Sequence, residues 1–329
     1  MDKPLDNKQV ETPQSQNIFT SAEDFDQKLL PTIAKYLQPY GPMIGALINV
    51  RASAILRDAA SLGLPAWPYE STYVCMDGIL SIFQLLKTRG LLQDAPKNPN
   101  EDDEIMEMIY APSILSSLLP WEKSRNIVHL NKKEFAPELL DCSSGLLAKM
   151  PAWAVCFNLV GQGFDWNGHE VAGVIFSRYF LSKHPEAEAD LGTPIEAQAI
   201  GDEVPGVINN MNSVIIFADG TFDLGPYCSM SNDQTIAQFF NSLSDSLEAN
   251  SDLIDGADEK QIEELKEMAN HTAERGRRFF SYLVYLIQHL DELKDAEGNK
   301  VSFLPNPGPV VVDNQVTIPS INIQPLYLD

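Results

Sequence analysis

The chain of 329 residues carries 46 acidic and 23 basic side chains, which gives a formal net charge of −23. Hydrophobic residues make up 44% and charged residues 21%, a composition typical of a soluble globular protein with a substantial core. The strong negative charge disfavours direct binding to the phosphate backbone of nucleic acids. No secretory signal and no apolar run of the roughly 20 residues needed for a membrane span are visible. We therefore expect a soluble, cytoplasmic protein that does not act on a membrane.

The first third of the chain is expected to be helical. Residues 1–20 lack apolar periodicity and are predicted to form a disordered tail. A helical region is predicted for residues 21–119, and Ser21 is placed to cap its first helix. Further helices are predicted over residues 43–62, 73–87 and 105–118.

An α+β core domain is predicted for residues 120–295. Its small, mostly antiparallel sheet is expected to be built from hairpins, with a long C-terminal helix packed on it. The predicted strands cover residues 126–130, 154–160, 170–180, 213–218 and 221–227, and Asp219-Gly220 forms a hairpin turn between the last two. The predicted helices cover residues 132–140, a segment capped by Ser231 and Gln234, and residues 257–294.

Two segments depart from this regular pattern. Residues 182–212 contain several prolines and an acidic stretch, and they are predicted to form an irregular insertion in the core domain. Residues 296–329 are predicted to be an extended, Pro-rich tail with a hairpin around Asp313-Asn314.

No common catalytic or cofactor motif is present. Gly161-Gln162-Gly163 follows a strand, but Trp166 stands where a dinucleotide fingerprint needs its third glycine. The five histidines are dispersed, and the four cysteines have neither disulfide-framework nor zinc-site spacing. We expect Arg275, Arg277 and Arg278 to pair with nearby acids such as Glu274. The sequence therefore predicts a protein that is not an enzyme and that holds no cofactor or metal.

Several stretches of the chain resemble a known family in their order. They are Asp77-Gly78-Ile79-Leu80, Trp121 followed by an apolar strand at 127–130, Met150-Pro151-Ala152-Trp153-Ala154-Val155, the strand at 214–217 and the helix through 280–290. This arrangement resembles a family of phage- and plasmid-borne proteins that includes a type V-A anti-CRISPR protein. The resemblance covers roughly residues 50–295, and its most distinctive part is the Pro-x-Trp strand that follows a Trp-strand-helix unit.

The resemblance implies a non-enzymatic α+β protein that serves a mobile element inside a bacterial host cell. The characterised member lowers the production of a type V CRISPR nuclease by recognising the N-terminal segment of the nuclease as it leaves the ribosome. Two features depart from the family pattern. Ala152 replaces an acidic residue, and an acidic, Pro-rich tail replaces a basic end that bears His and Trp. A contact made by that basic end with RNA or the ribosome would be missing here.

The leading hypothesis is a binding protein whose partner is a basic polypeptide. An exposed aromatic side chain beside an edge strand would anchor such a partner, and Trp166 is the first candidate and Tyr227 the second. Asp165 and Asp223 are the acidic candidates in the same surface, whereas Trp121 and Trp153 are expected in the core. The first alternative is an acidic mimic of nucleic acid that blocks a DNA- or RNA-binding protein. The second is a hydrolase whose Asp and His residues converge only in space.

Overall fold

The computed structural model describes nine stretches of the chain: residues 17–40, 104–132, 134–179, 208–231, 233–249, 259–307, 310–313, 315–317 and 319–329. Four of the sequence predictions concern other residues, wholly or for the most part, and to that extent lie outside this description. They are the tail over residues 1–16, the helices over 43–62 and 73–87, and most of the insertion over 182–212.

The first helix, α1 (Ala22–Leu37), begins where the sequence predicts. The Ser21 side chain accepts a hydrogen bond of 3.1 Å from the backbone N–H of Asp24, which satisfies one of the free donors of the first turn. Four apolar side chains spaced along one face are buried: Phe25, Leu29, Ile33 and Leu37. The preceding residues are ordered too, because the backbone N–H groups of Ile18 and Phe19 both donate to the carbonyl of Ala218. The predicted disordered tail was therefore wrong for residues 17–20.

The second described helix, α2 (Glu104–Ser124), is longer than the prediction over 105–118. Its last turn carries Trp121, which is fully buried and donates a hydrogen bond of 2.7 Å to the carbonyl of Asn126. Both tryptophans expected in the core, Trp121 and Trp153, are buried there. Trp121 thus fixes the angle between α2 and the strand that follows.

The centre of the fold is a mixed sheet of eight strands. Seven of them are β1 (Asn126–Leu130), β2 (Ala154–Asn158), β3 (Asp165–Trp166), β4 (His169–Tyr179), β5 (Ile208–Phe217), β6 (Phe222–Leu224) and β7 (Cys228–Ser231). The next two strands, β8 (Val310–Val312) and β9 (Gln315–Thr317), form a separate hairpin. The eighth strand of the sheet is β10 (Gln324–Leu328). The order across the sheet is β10-β1-β2-β4-β5-β6, with β3 added beside β4 and β7 beside β5. β10, β1 and β2 run parallel, and every other pair is antiparallel.

Helices cover both faces of this sheet. α1 and α2 pack on one face, against the buried side chains Ile127, Cys156, Ile175, Val214 and Ile216. α3 (Ile236–Ala249) and α4 (Glu259–Gln288) pack on the other, against Val128, Phe157, Phe176 and Ile215. Each such side chain contributes roughly 1.5–3 kcal/mol by leaving water. Burial from both sides explains why the central strands read as continuous apolar runs.

The α+β class and the packing of the long C-terminal helix on the sheet are confirmed, but two helix predictions need correction. Among the described residues of 132–140, only Pro137–Leu140 are helical, and they form a single 3-10 turn. The helix α3 is capped by Thr235 and Gln238, which exchange two backbone-to-side-chain hydrogen bonds, and not by Ser231 and Gln234. The same box pattern occurs one turn later than expected.

The tail is more ordered than the prediction of an extended segment over 296–329. The hairpin predicted around Asp313 is confirmed as β8 and β9, whereas the parallel strand β10 was not predicted. Pro325 sits inside β10, yet it does not break the ladder. Gln324 donates inward, to the carbonyl of Arg125, so the missing N–H of the next residue points away from β1. Proline is tolerated in edge strands for this reason.

Candidate partner-binding surface

The first predicted anchor, Trp166, lies at the end of the β3–β4 hairpin. The turn consists of Asn167 and Gly168, both with positive φ (54° and 82°), so Trp166 is the last strand residue before the turn. Its side chain is only 6% exposed and packs on Phe279 of α4, with the ring centroids 6.0 Å apart. The expectation of an exposed Trp166 was therefore wrong, because strand alternation turns the residue before this tight turn towards α4.

Asp165, its neighbour, is exposed but engaged in holding the hairpin. The Arg275 guanidinium of α4 lies 3.0 Å from the Asp165 carboxylate, and it also stacks 5.7 Å above the Trp166 ring. The same carboxylate accepts the N–H of Gly168 and so stabilises the turn. Asp165 and Trp166 thus fasten the hairpin to α4.

The other two arginines of α4 also make contacts within the fold. Arg278 donates to the carbonyls of Gln162 and Gly163 and lies 3.7 Å above the ring of Phe164. Arg277 donates to the side chain of Asn241 in α3 at 2.7 Å. The expectation that these arginines pair with acids holds for Arg275 alone, and its partner is Asp165 of β3 and not Glu274. Arg277 and Arg278 contact an amide side chain and backbone carbonyls instead.

The second pair of predicted residues, Asp223 and Tyr227, lies at the opposite edge of the sheet, on β6 and just after it. Strands β4 and β5 separate this edge from β3, so the four predicted residues do not form one surface. Tyr227 is 46% exposed, which confirms its predicted exposure. Asp223 is half-buried and faces Tyr110 of α2. The edge at β6 with Tyr227 is therefore the only part of the predicted surface that keeps the geometry of a docking site.

The backbone of β6 shows which of its groups face away from the sheet. Thr221 and Gly225 exchange hydrogen bonds with β5, through the carbonyl of Thr221 and the N–H of Gly225. Because inward and outward groups alternate along a strand, the N–H and C=O groups of Phe222 and Leu224 point outward. An incoming strand would pair with these four groups.

Two side chains occupy the centre of that edge. The Tyr110 hydroxyl donates to the carbonyl of Phe222 and lies equally close, 3.2 Å, to the Asp223 carboxylate. The same carboxylate oxygen accepts the N–H of Leu224 at 2.8 Å. Burial, followed by the nearby Asp223 charge, raises the pKa of Tyr110 above its ordinary value, so the phenol remains a donor. We call the Tyr110 and Asp223 side chains the edge cap, since they satisfy two of the four outward backbone groups.

A second cluster, which the sequence did not indicate, lies at the carboxyl ends of the parallel strands. Asp26 of α1 approaches His129 of β1, with 3.1 Å between the carboxylate oxygen and Nε2, although the alignment is not that of a hydrogen bond. Asn158 of β2 donates towards the same carboxylate at 3.4 Å, and Tyr327 of β10 stacks on the imidazole at 4.6 Å. Ligand sites of open α/β sheets commonly lie at such strand ends.

This cluster meets only part of what a hydrolytic site requires. An aspartate can hold a histidine ring in the tautomer and orientation that general-base catalysis needs, but a nucleophile must also lie within hydrogen-bond reach of the other ring nitrogen. Among the described residues, no Ser, Thr or Cys side chain hydrogen-bonds to His129. The described cysteines are free thiols, and burial raises the pKa of Cys156 and Cys228, which makes both poor nucleophiles. The pair is best explained as a tie between α1 and the sheet.

Two comparisons, with known protein families and with curated proteins, were made on the sequence of the chain. No model of a known protein family matches the chain, and no curated protein shows significant similarity to it. Within the described part of the chain, no group of His, Cys, Asp and Glu residues is arranged to hold a metal ion. None of the described helices is both long and apolar enough to cross a membrane.

Proposed function

We propose that the chain is a non-enzymatic binding protein whose ligand is an extended, basic segment of another polypeptide. The observation that carries this proposal concerns the outer edge of β6. Two of its outward backbone groups are bound by side chains and not by another described strand, and Tyr227 is exposed beside them. A sheet edge gains affinity from main-chain hydrogen bonds, while adjacent side chains provide the specificity. The net charge of −23 supports a basic partner.

The edge cap gives this recognition a concrete sequence of contacts. An incoming strand would donate an N–H to the carbonyl of Phe222 in place of the Tyr110 hydroxyl. A carbonyl of the same strand would accept the N–H of Leu224 in place of Asp223. The released Asp223 carboxylate would then pair with a Lys or Arg side chain of the ligand, because a freed charge near the surface needs a new partner. Tyr227 would pack against the next aromatic or aliphatic side chain.

The resemblance in sequence supports a specific partner. We propose that the ligand is the N-terminal segment of a type V CRISPR effector nuclease, and that the protein serves a phage or plasmid in a bacterial cell. Tyr227 and Asp223 remain the proposed contact residues. Asp165 and Trp166 are not included, because both are engaged with Arg275.

Co-expression with such a nuclease tests this proposal, with nuclease protein and message measured together. We expect both to fall when the native N-terminal segment is present and to remain unchanged when that segment is recoded to a different peptide. Tyr227→Ala should reduce the effect, because an exposed anchor of this kind contributes enough to change the affinity roughly tenfold. Leu304→Ala, which removes an exposed apolar side chain away from both proposed contact surfaces, serves as the matched control.

A titration with purified protein and synthetic peptides tests the mechanism directly. A basic peptide should bind more weakly as the salt concentration rises, and a peptide with the same composition in scrambled order should bind less well. Equal binding of both peptides, or equal loss in Tyr227→Ala and Leu304→Ala, would contradict strand addition at β6. Tight salt-dependent binding to a nucleic-acid-binding protein without any peptide selectivity would favour the acidic mimic instead.

A further inference from the structure

The hairpin of β8 and β9 exposes apolar side chains on one strand. Val310 and Val312 are 41% and 52% exposed, and they share one face of β8 because alternate strand residues point the same way. No described strand pairs with the outer edge of β8. A two-stranded hairpin is at best marginally stable in water by itself, so an ordered hairpin with exposed valines suits a surface that becomes covered.

The charge pattern of the tail indicates what can cover this surface. The acidic residues of the tail lie mostly at its two ends, at Glu297 and Asp329. Between them, residues 301–328 contain a single charged side chain, Asp313, although 21% of the whole chain is charged. Two copies that approach each other elsewhere would in general bring acidic surfaces together, because each chain carries a net charge of −23. The residues of the tail therefore add little electrostatic repulsion to the approach of a second copy.

The hairpin is held firmly at its base. The Asn306 side chain accepts the backbone N–H of Trp153 at 3.0 Å, just before the hairpin. Just after it, the Ser320 hydroxyl donates to Glu122 at 2.8 Å, and the N–H of Ile321 donates to the carbonyl of Lys123 at 3.0 Å. Because both ends are fixed to the body of the protein, β8 loses less conformational freedom on association than a free tail would.

We propose that two copies of the chain associate by antiparallel pairing of β8 with β8. In this two-fold arrangement Val310 of one copy lies opposite Val312 of the other, and the two hairpins form a four-stranded sheet. Asp313 falls beyond the paired residues, so no carboxylates are placed directly opposite each other.

Two physical consequences distinguish this association from ligand binding at β6. The paired surface is much smaller than the roughly 800 Å² per partner of a standard interface, so the dimer is weak. Added salt screens the repulsion between the two acidic bodies and should strengthen the dimer. Salt weakens the binding of a basic ligand, so the two processes respond in opposite directions.

Sedimentation of the full chain tests the proposal over protein concentrations from roughly 1 to 500 µM, at about 50 mM and about 500 mM NaCl. As the protein concentration increases, the weight-average mass should rise from 36.5 kDa towards twice that value. In the higher salt this rise should begin at a lower protein concentration. The double variant Val310→Thr/Val312→Thr keeps β-branched residues. It should raise the protein concentration at which half of the chains are associated at least tenfold. Tyr227→Thr, which alters the exposed residue beside β6, should leave the midpoint unchanged.

Three outcomes would overturn the proposal. The first is a constant mass at every concentration and both salt levels. The second is an equal midpoint for the wild type and the double variant. The third is a double variant that unfolds at a clearly lower temperature under conditions where the wild type is monomeric, which would mean that the valines pack within the chain. Failure of strand addition at β6 would leave all three results unaffected.

Discussion

The two edges of the sheet are closed in different ways. At the β10 edge the chain itself covers the outer strand: Tyr327 and Lys294 exchange backbone hydrogen bonds of 2.9 and 3.0 Å. The Gln324 side chain extends this cover, since it accepts the N–H of Leu304 and donates to the carbonyl of Ser302. At the β6 edge, by contrast, two side chains do the covering, the Tyr110 phenol and the Asp223 carboxylate.

This difference separates a permanent closure from a replaceable one. Backbone cover can leave the β10 edge only if a segment of the tail unfolds, which exposes buried apolar residues and is slow. A side chain near the surface changes its rotamer within nanoseconds, and its hydrogen bonds contribute only about 0.5–1.5 kcal/mol each. We therefore infer that β10 serves stability, while β6 is the edge at which another strand can be exchanged for the cap.

Truncation of Leu326 should have the largest effect of the changes considered. Leu326 lies in β10 and is fully buried in the core beneath α4, so Leu326→Ala should lower the free energy of unfolding by about 2–5 kcal/mol. Urea unfolding followed by circular dichroism measures this change. Leu304→Ala is the matched control, because Leu304 belongs to the same tail but is exposed, and its effect should stay within about 0.5 kcal/mol. Equal effects of the two variants would mean that β10 is not a structural edge.

Asn126, in the strand beside β10, should show the next largest effect. Its side-chain amide accepts the N–H of Cys156 and donates to the carbonyl of Ala154, so it extends the ladder between β1 and β2. Asn126→Ala leaves that buried N–H without a partner and should lower the free energy of unfolding by about 1–3 kcal/mol. Hydrogen exchange of the Cys156 amide, faster in the variant than in the wild type, would locate the loss. An unchanged exchange rate would argue against this role.

Removing the Tyr110 hydroxyl from the edge cap should lower stability slightly and should increase the affinity for a peptide. Tyr110→Phe removes the donor to Phe222 and should lower the free energy of unfolding by about 0.5–1.5 kcal/mol. The same change should increase the affinity for an extended peptide, because one group no longer has to be displaced. Tyr282→Phe is the control. The buried Tyr282 hydroxyl makes no hydrogen bond in the described part of the chain, so its removal should be neutral or stabilising. Weaker peptide binding in Tyr110→Phe would contradict the cap.

The smallest predicted effect concerns the pH dependence of the tail attachment. Burial alone would raise the pKa of Glu122, but hydrogen bonds from Lys123, Arg125 and Ser320 outweigh it and hold the pKa below 4.5, its ordinary value. Because the folded-state pKa is lowered, the stabilisation is present above pH 4.5 and is lost as the pH falls through the folded-state value. Glu122→Gln should therefore cost about 0.5–1 kcal/mol at pH 7 and flatten the acid side of the stability profile. Parallel acid profiles for the two proteins would disprove the assignment.

Sequence reasoning succeeded where a structure depends on neighbouring residues. The Ser21 cap, the Asp219-Gly220 turn and the strand at 126–130 all follow from local hydrogen bonding and apolar patterning, and all three are confirmed. Trp166 was misjudged because it is the last strand residue before the turn of Asn167 and Gly168, and a difference of one residue in strand position turns a side chain to the opposite face. Such an error is intrinsic to patterns with a period of two.

The remaining features depend on contacts between distant parts of the chain. The pairing of β10 with β1 joins Gln324 to Asn126, and nothing in either short apolar segment identifies the other as its neighbour. Asp26 and His129 meet only because α1 crosses the carboxyl ends of β1 and β2, so no spacing in the sequence could predict them as a pair. The edge cap likewise requires the side of α2 that carries Tyr110 to face β6.

The separation between β1 and β10 in the chain also has a consequence in time. The two strands are about two hundred residues apart, and at 5–20 residues per second a ribosome takes roughly 10–40 s to synthesise the chain between them. For that interval β1 of a nascent molecule has no neighbour on its outer side. Chaperones that shield unpaired strands therefore have a defined window in which to act on this protein. A pause in translation after β2 should raise aggregation in proportion to its length.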